Sequence, residues 1–312
     1  MTKGKGRPRR GWCLLLAGAV LLALAACGNQ APRAGVETEA REQPSAENQN
    51  EEVTMSHMSE YEIREIDCPI GSQSIYGIAY VPKAAEKAPL VIFAHELGST
   101  YRSGVPYAEE LAARGIAVYT FDFRGGSTAS RSDGQTVGMS AMTEADDVQA
   151  VLAAARGWTF VDVARIVLMG ASQGGLASAI ASARDPAQVS GLILLYPALL
   201  VHDAVHEQFA TLDEVPERFN YNGWIMVARN YVADMWDYDV FAEMEKFEKP
   251  VLILHGNRDG IVSTAYAKQA AASYPNAELH ILDGAGHGFY GSSFDKAMEY
   301  ILNYLQENGD FA

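Results

Sequence analysis

The chain has 312 residues, 48% of them hydrophobic, with 39 acidic against 24 basic residues and a formal net charge of −15. That acidity argues against nucleic acid as a partner and against adsorption to anionic lipid by charge. It says nothing about a small-molecule substrate.

Lys3, Lys5, Arg7, Arg9 and Arg10 form a basic start, followed by an apolar, Leu- and Ala-rich stretch from Trp12 to Ala26. The stretch is short for a membrane span and reads as a signal peptide over residues 1–26. It ends Leu24-Ala25-Ala26-Cys27, which resembles a bacterial lipobox. The resemblance implies cleavage before Cys27, lipidation of that cysteine, and an extracytoplasmic protein held to a bacterial membrane through lipid alone. Residues 28–59 are rich in Ala, Glu, Gln, Asn, Pro and Thr, with hardly any aliphatic or aromatic side chains. Such a segment buries too little surface to fold and would serve as a disordered tether. With Cys13 in the signal and Cys27 lipidated, Cys68 is left alone. No intramolecular disulfide can then form, and Cys68 reads as structural.

Residues 60–312 suffice for one α/β domain with a substantial core. Tyr61–Asp67 and Ser74–Val81 look like an edge hairpin. Leu90–Ala94, Ile116–Phe121, Arg165–Met169, Leu192–Tyr196, Val251–Leu254 and Glu278–Leu282 read as further strands. Helical patterns lie between them near Val105–Arg114, Glu144–Arg156, Gln173–Ala183, Thr264–Ser273 and Phe294–Leu305, with Thr143 and Asp146 approximating a capping box for the second. The alternation predicts a mostly parallel sheet of about eight strands with helices on both faces, and ligands beyond the carboxyl ends of the strands.

Gly170-Ala171-Ser172-Gln173-Gly174 follows one of these strands directly and opens a helix. A small residue two positions to either side of a serine is the nucleophile-elbow pattern. A hydroxyl needs a base to take its proton, and the base needs an orienting acid. Asp259 stands just past the Val251–Leu254 strand, and His287 just past the Glu278–Leu282 strand, so Ser172, Asp259 and His287 arrive in the order this fold uses. Asp283 is the weaker candidate acid because it ends the strand leading to His287. His255 supports the Asp259 loop, and His280 is a packed or surface side chain within a strand. The tetrahedral intermediate needs backbone N–H donors. These are expected from Gln173, after the nucleophile, and from Leu97, in the loop His95-Glu96-Leu97-Gly98 after an early strand.

These motifs, together with Phe121-Asp-Phe-Arg-Gly-Gly-Ser127, Arg131-Ser-Asp-Gly134, Met139-Ser-Ala-Met-Thr-Glu144, Gly170-Ala-Ser-Gln-Gly-Gly175, His255-Gly-Asn-Arg-Asp259 and Gly286-His-Gly288, resemble the α/β-hydrolase superfamily. Within it they are most similar to bacterial serine esterases of the cinnamoyl/feruloyl type. The resemblance implies hydrolysis of a small ester, with an aromatic acyl group as the candidate, through an acyl-enzyme with no metal and no organic cofactor. The same triad also serves peptidases and acyltransferases. Glu96 departs from the pattern, because that position is usually Gly in the family; it implies a modified oxyanion loop or a negative charge near the site.

The strand–helix alternation fails between about residues 199 and 248, where an insertion reads as a cap. It carries Phe209, Phe219, Tyr221, Trp224, Tyr231, Trp236, Tyr238 and Phe241, expected in part to wall the pocket and in part to hold the cap down. His202 and His206 share a helix face if helical. Without a Glu after His202 they do not form the zinc-protease motif and read as a surface pair.

Overall fold

The computed structural model describes residues 60–84 and 86–309. The expected signal peptide, Cys27 and the tether lie outside the described residues.

In chain order the strands are β1 (Tyr61–Ile70), β2 (Gln73–Pro82), β3 (Ala88–Ala94), β4 (Ala117–Phe121), β5 (Val161–Ala171), β6 (Gly191–Leu195), β7 (Arg218–Tyr221), β8 (Ile225–Ala228), β9 (Val251–Gly256) and β10 (Ala277–Leu282). The helices are α1 (Val105–Ala112), α2 (Ala141–Ala155), α3 (Gln173–Arg184), α4 (Val201–Gln208), α5 (Asn230–Ala233), α6 (Val240–Met244), α7 (Thr264–Ser273) and α8 (Ser292–Gly309). Eight strands make one sheet in the order β1-β2-β4-β3-β5-β6-β9-β10. β2 runs antiparallel to both its neighbours, β1 and β4, and every other neighbouring pair in the sheet is parallel.

Side chains alternate along the central strands and supply two separate cores. Leu90 and Ile92 of β3, with Ile166 and Leu168 of β5, meet Val148 and Leu152 of α2, Leu176 and Ile180 of α3, and Ala267 of α7. Val91, Phe93, Val167 and Met169 face the other way and meet Tyr107 and Leu111 of α1 and Ile301 and Leu305 of α8. Burial on both faces is why these strands read as continuous apolar runs.

Two expectations are corrected. The cap of α2 lies one turn earlier than expected, at Ser140. Thr143 N–H donates to Ser140 Oγ at 3.3 Å, and Ser140 N–H donates to Thr143 Oγ1 at 2.8 Å. Thr143 is therefore the third helical residue and cannot act as cap, and Asp146 pairs instead with Arg184 at 2.7 Å. Strand β5 also begins four residues early, pairing Val161 with Ala88 before a bulge; the charged Asp162 and Arg165 hid this in the sequence. Between β6 and β9 stand α4, the β7–β8 hairpin, α5 and α6. Tyr221, Ile225, Val227 and Tyr231 form a small core there with Met139.

Candidate active site

Ser172 sits between the end of β5 and the start of α3 with φ 51° and ψ −117°, a region that costs a non-glycine residue of order 1–3 kcal/mol. The flanking glycines make this turn possible. A Cβ at position 170 would lie 2.3 Å from the Gly174 carbonyl oxygen, and one at position 174 would lie 2.3 Å from the Ala94 carbonyl oxygen of β3. Strand, helix and neighbouring strand thus meet at van der Waals contact, which throws the Ser172 hydroxyl outward.

His287 Nε2 lies 2.8 Å from Ser172 Oγ, and its Nδ1 lies 2.7 Å from Asp259 Oδ2. The Asp259 side chain is fully buried. Its Oδ1 accepts the N–H groups of Ile261 and Val262, both at 2.8 Å. With one oxygen held by the backbone and the other facing Nδ1, the carboxylate places the imidazole proton on Nδ1. It leaves the Nε2 lone pair toward the serine. His255 lies beneath this loop, fully buried, with Nε2 2.9 Å from the Val262 carbonyl and 3.2 Å from Asp259 Oδ2. Burial lowers its pKa and keeps it neutral. Asp283 faces elsewhere, accepting from Asn257 Nδ2 at 2.7 Å. His280 stacks on Tyr300 with ring centroids 3.8 Å apart.

The loop after β3 is pinned by His95, which is fully buried. Its Nδ1–H donates to the Glu96 carbonyl at 2.7 Å, and its Nε2 accepts the Phe123 N–H at 3.1 Å. Burial lowers its pKa, so it is the neutral ring that makes both bonds. Leu97 and Gln173 border the same cavity of about 200 Å³ as Ser172 and His287. Neither backbone N–H has an acceptor among the described residues.

The Gln173 side chain is clamped from two sides. Its Oε1 accepts from Tyr231 OH of the insertion at 2.6 Å, and its Nε2 donates to Glu144 Oε2 of α2 at 3.0 Å. Glu144 is completely buried, and desolvation pushes its pKa up to about 8. Of the nine aromatic side chains between residues 199 and 248, Tyr221, Trp224 and Tyr231 line the cavity with Ser172. Phe209, Trp236, Tyr238 and Phe241 pack against the main core instead. His206 Nε2–H donates to the Trp236 carbonyl at 2.7 Å, and His202 pairs with Asp203. No group of three His, Cys, Asp or Glu is placed to hold a metal ion among the described residues.

Est1E from Butyrivibrio proteoclasticus, solved with ferulic acid bound, superposes with a TM-score of 0.71 at 25% identity, covering 78% of this chain and 98% of that one. The chain has the α/β-hydrolase fold. Residues 85–230 match the family described as serine aminopeptidase, S33, and residues 230–309 match TAP-like proteins. The Pyrococcus furiosus esterase Pf2001 shares the fold, with a TM-score of 0.60 at 18% identity over 79% of this chain and 91% of that one. The quorum-quenching protein AidA of Acinetobacter baumannii is 23% identical over 77% of this chain and 94% of that protein. Together these support a hydrolase at the level of the superfamily.

Several residues of the candidate site carry little or no signal in the sequence. Tyr196, the residue after β6, has φ 37° and sets its ring edge-on to His287 with centroids 5.0 Å apart. Its hydroxyl donates to Glu96 Oε1 at 2.9 Å. Nothing in the run Leu192–Tyr196 distinguishes it from a strand end. Glu144 carried a signal, because a carboxylate among Ala141, Ala145 and Val148 falls on the buried stripe of a helix.

Proposed function

We propose that this α/β hydrolase cleaves carboxylic esters through an acyl-enzyme on Ser172. The observation that carries the reading is the unbroken line from Asp259 through His287 to Ser172, opening into a cavity bordered by two backbone N–H groups without acceptors. Ser172 Oγ attacks the ester carbonyl carbon while His287 Nε2 takes the hydroxyl proton. The Leu97 and Gln173 N–H groups bind the oxyanion, and Asp259 stabilises the imidazolium. The tetrahedral intermediate collapses, the C–O bond to the alcohol breaks, and His287 returns the proton to the departing oxygen. Water then attacks the acyl-enzyme, His287 taking its proton, and the second collapse releases the acid and restores the Ser172 hydroxyl. No cofactor or metal enters these steps.

Tyr221, Trp224 and Tyr231 line the cavity in which the acyl group would sit. With the likeness to Est1E holding ferulic acid, they support an aromatic or short acyl chain, with feruloyl and cinnamoyl esters as candidates. Ser172→Ala should abolish turnover of p-nitrophenyl butyrate and labelling by a fluorophosphonate while the circular dichroism stays native. Wild-type turnover in that variant would remove the mechanism. The match to the serine aminopeptidase family favours a second reading, amide cleavage. Aminoacyl p-nitroanilides run beside the matching esters separate the two.

The lipobox-like Leu24-Ala25-Ala26-Cys27 supports an extracytoplasmic enzyme tethered to a bacterial membrane by lipid on Cys27. Fatty-acid labelling that survives Cys27→Ala would overturn that part.

A further inference from the structure

Glu96 is not accounted for by the chemistry above. It precedes Leu97 in the loop after β3, where its carboxylate reaches Tyr196. Its Oε1 takes the Tyr196 hydroxyl, whereas Oε2 is buried and has no hydrogen-bond partner among the described residues. A buried carboxylate oxygen left unpaired is costly unless something else meets it. Glu96 borders two cavities at once. One is the cavity of about 200 Å³ with Ser172 and His287, and the other is a cavity of about 430 Å³ walled by Tyr107, Tyr196, Phe289 and Phe294. Arg102 also borders the larger one. Its guanidinium lies by the Tyr101 ring.

Position decides what could meet this oxygen. In ester cleavage the alcohol departs beside His287 Nε2, which gives it a proton. Tyr196 packs edge-on against both His287 and Phe289, with centroids 5.0 Å apart in each case. Tyr196 and Phe289 in turn wall the larger cavity beside Glu96. Glu96 borders the smaller cavity with His287 and the larger one with Tyr196 and Phe289, so an alcohol leaving beside His287 has Glu96 in the same cavity. An aromatic-walled space with one carboxylate and an unpaired oxygen suits a cation bearing an N–H donor.

We infer that Glu96 is a specificity-determining residue that selects esters whose alcohol carries a protonated amine. The inference rests on the ester-hydrolase reading. The Tyr196 hydroxyl holds one oxygen of Glu96 in place, and the ammonium N–H takes the other while the alkyl groups on nitrogen contact the rings. The strained backbone of Tyr196 is kept because it orients this pair.

The test compares 2-(dimethylamino)ethyl butanoate, protonated at pH 7, with its neutral isostere 3-methylbutyl butanoate, reading enzyme-dependent kcat/KM for each. The wild-type enzyme should prefer the amine ester by about tenfold or more. Glu96→Gln, which still offers an oxygen to Tyr196, should bring the ratio to about one, and Glu96→Gly run beside it should do the same. A wild-type ratio near one, or a ratio that survives both substitutions, overturns the inference while turnover of the neutral ester leaves the hydrolase reading standing. Failure to cleave either ester, with Ser172 unlabelled by a fluorophosphonate, removes both.

Discussion

The Tyr196 ring stands edge-on to the His287 imidazole, with centroids 5.0 Å apart. One face of the proposed base is thus held by a residue that itself sits at φ 37°. Removing the ring should let the imidazole drift from Ser172, and displacements of about 1 Å cost on the order of a hundredfold in rate. Tyr196→Ala should lower kcat on p-nitrophenyl butyrate by about ten- to a hundredfold. Tyr196→Phe keeps the ring and should lose less than about tenfold. Equal losses in steady-state assays of the two variants would assign the effect to the hydroxyl instead.

Asp259→Asn probes the tautomer. The amide oxygen can still accept from Ile261 and Val262, which turns the NH2 toward His287 Nδ1. The ring must then carry its proton on Nε2, where it cannot accept one from Ser172. The kcat should fall by about a thousandfold or more with little change in melting temperature. A decrease below tenfold would mean that another group orients His287.

Glu144 makes stability depend on pH. Its pKa rises from an ordinary carboxyl value to about 8 by burial, so the folded protein holds a proton that the unfolded chain releases above about pH 4.5. This contribution is fully present below that pH and fades as pH rises toward 8. Asp147, pushed up to about 6 by burial, acts in the same direction over a narrower range. The wild-type melting temperature should therefore drop from pH 7 to pH 8, above the range in which the buried neutral His95 and His255 act in the opposite sense, and Glu144→Gln should drop less. Parallel curves would show that Glu144 ionises normally in the fold.

Gly174→Ala tests the elbow packing. The added Cβ would meet backbone oxygens of both Ala94 and His95 within 2.4 Å, and backbone of a central strand has little room to yield. Urea unfolding should show a loss of about 3 kcal/mol or more. A near-neutral result would mean that β3 and α3 are not in contact as described.

The parallel sheet was legible because burial on both faces writes Leu90–Ala94, Arg165–Met169 and Val251–Leu254 as plain apolar runs. Ser172, Asp259 and His287 were legible as a set because each stands just past a predicted strand, in the order Ser, Asp, His. The structure draws the three together at 2.7 and 2.8 Å. The Gln173–Glu144–Tyr231 clamp was not legible, since it joins residues 29 and 58 positions apart through side chains whose partners only the folded chain defines. The contents of the insertion were equally hidden. Tyr221 and Trp236 look alike as aromatic residues in a polar stretch, yet one reaches the cavity and the other the core.

His287 hangs from β10, one of the two edge strands, which pairs with β9 alone. Most of its residues are partly exposed. Ser172 hangs from β5, in the middle of the sheet. The two halves of one proton transfer are therefore mounted on parts of the molecule with unequal resistance to fraying. Warming releases the rim before the centre. Loss of turnover on heating should then be an event of its own, reversible and well below the melting of the sheet, so that the protein can be silenced while still folded.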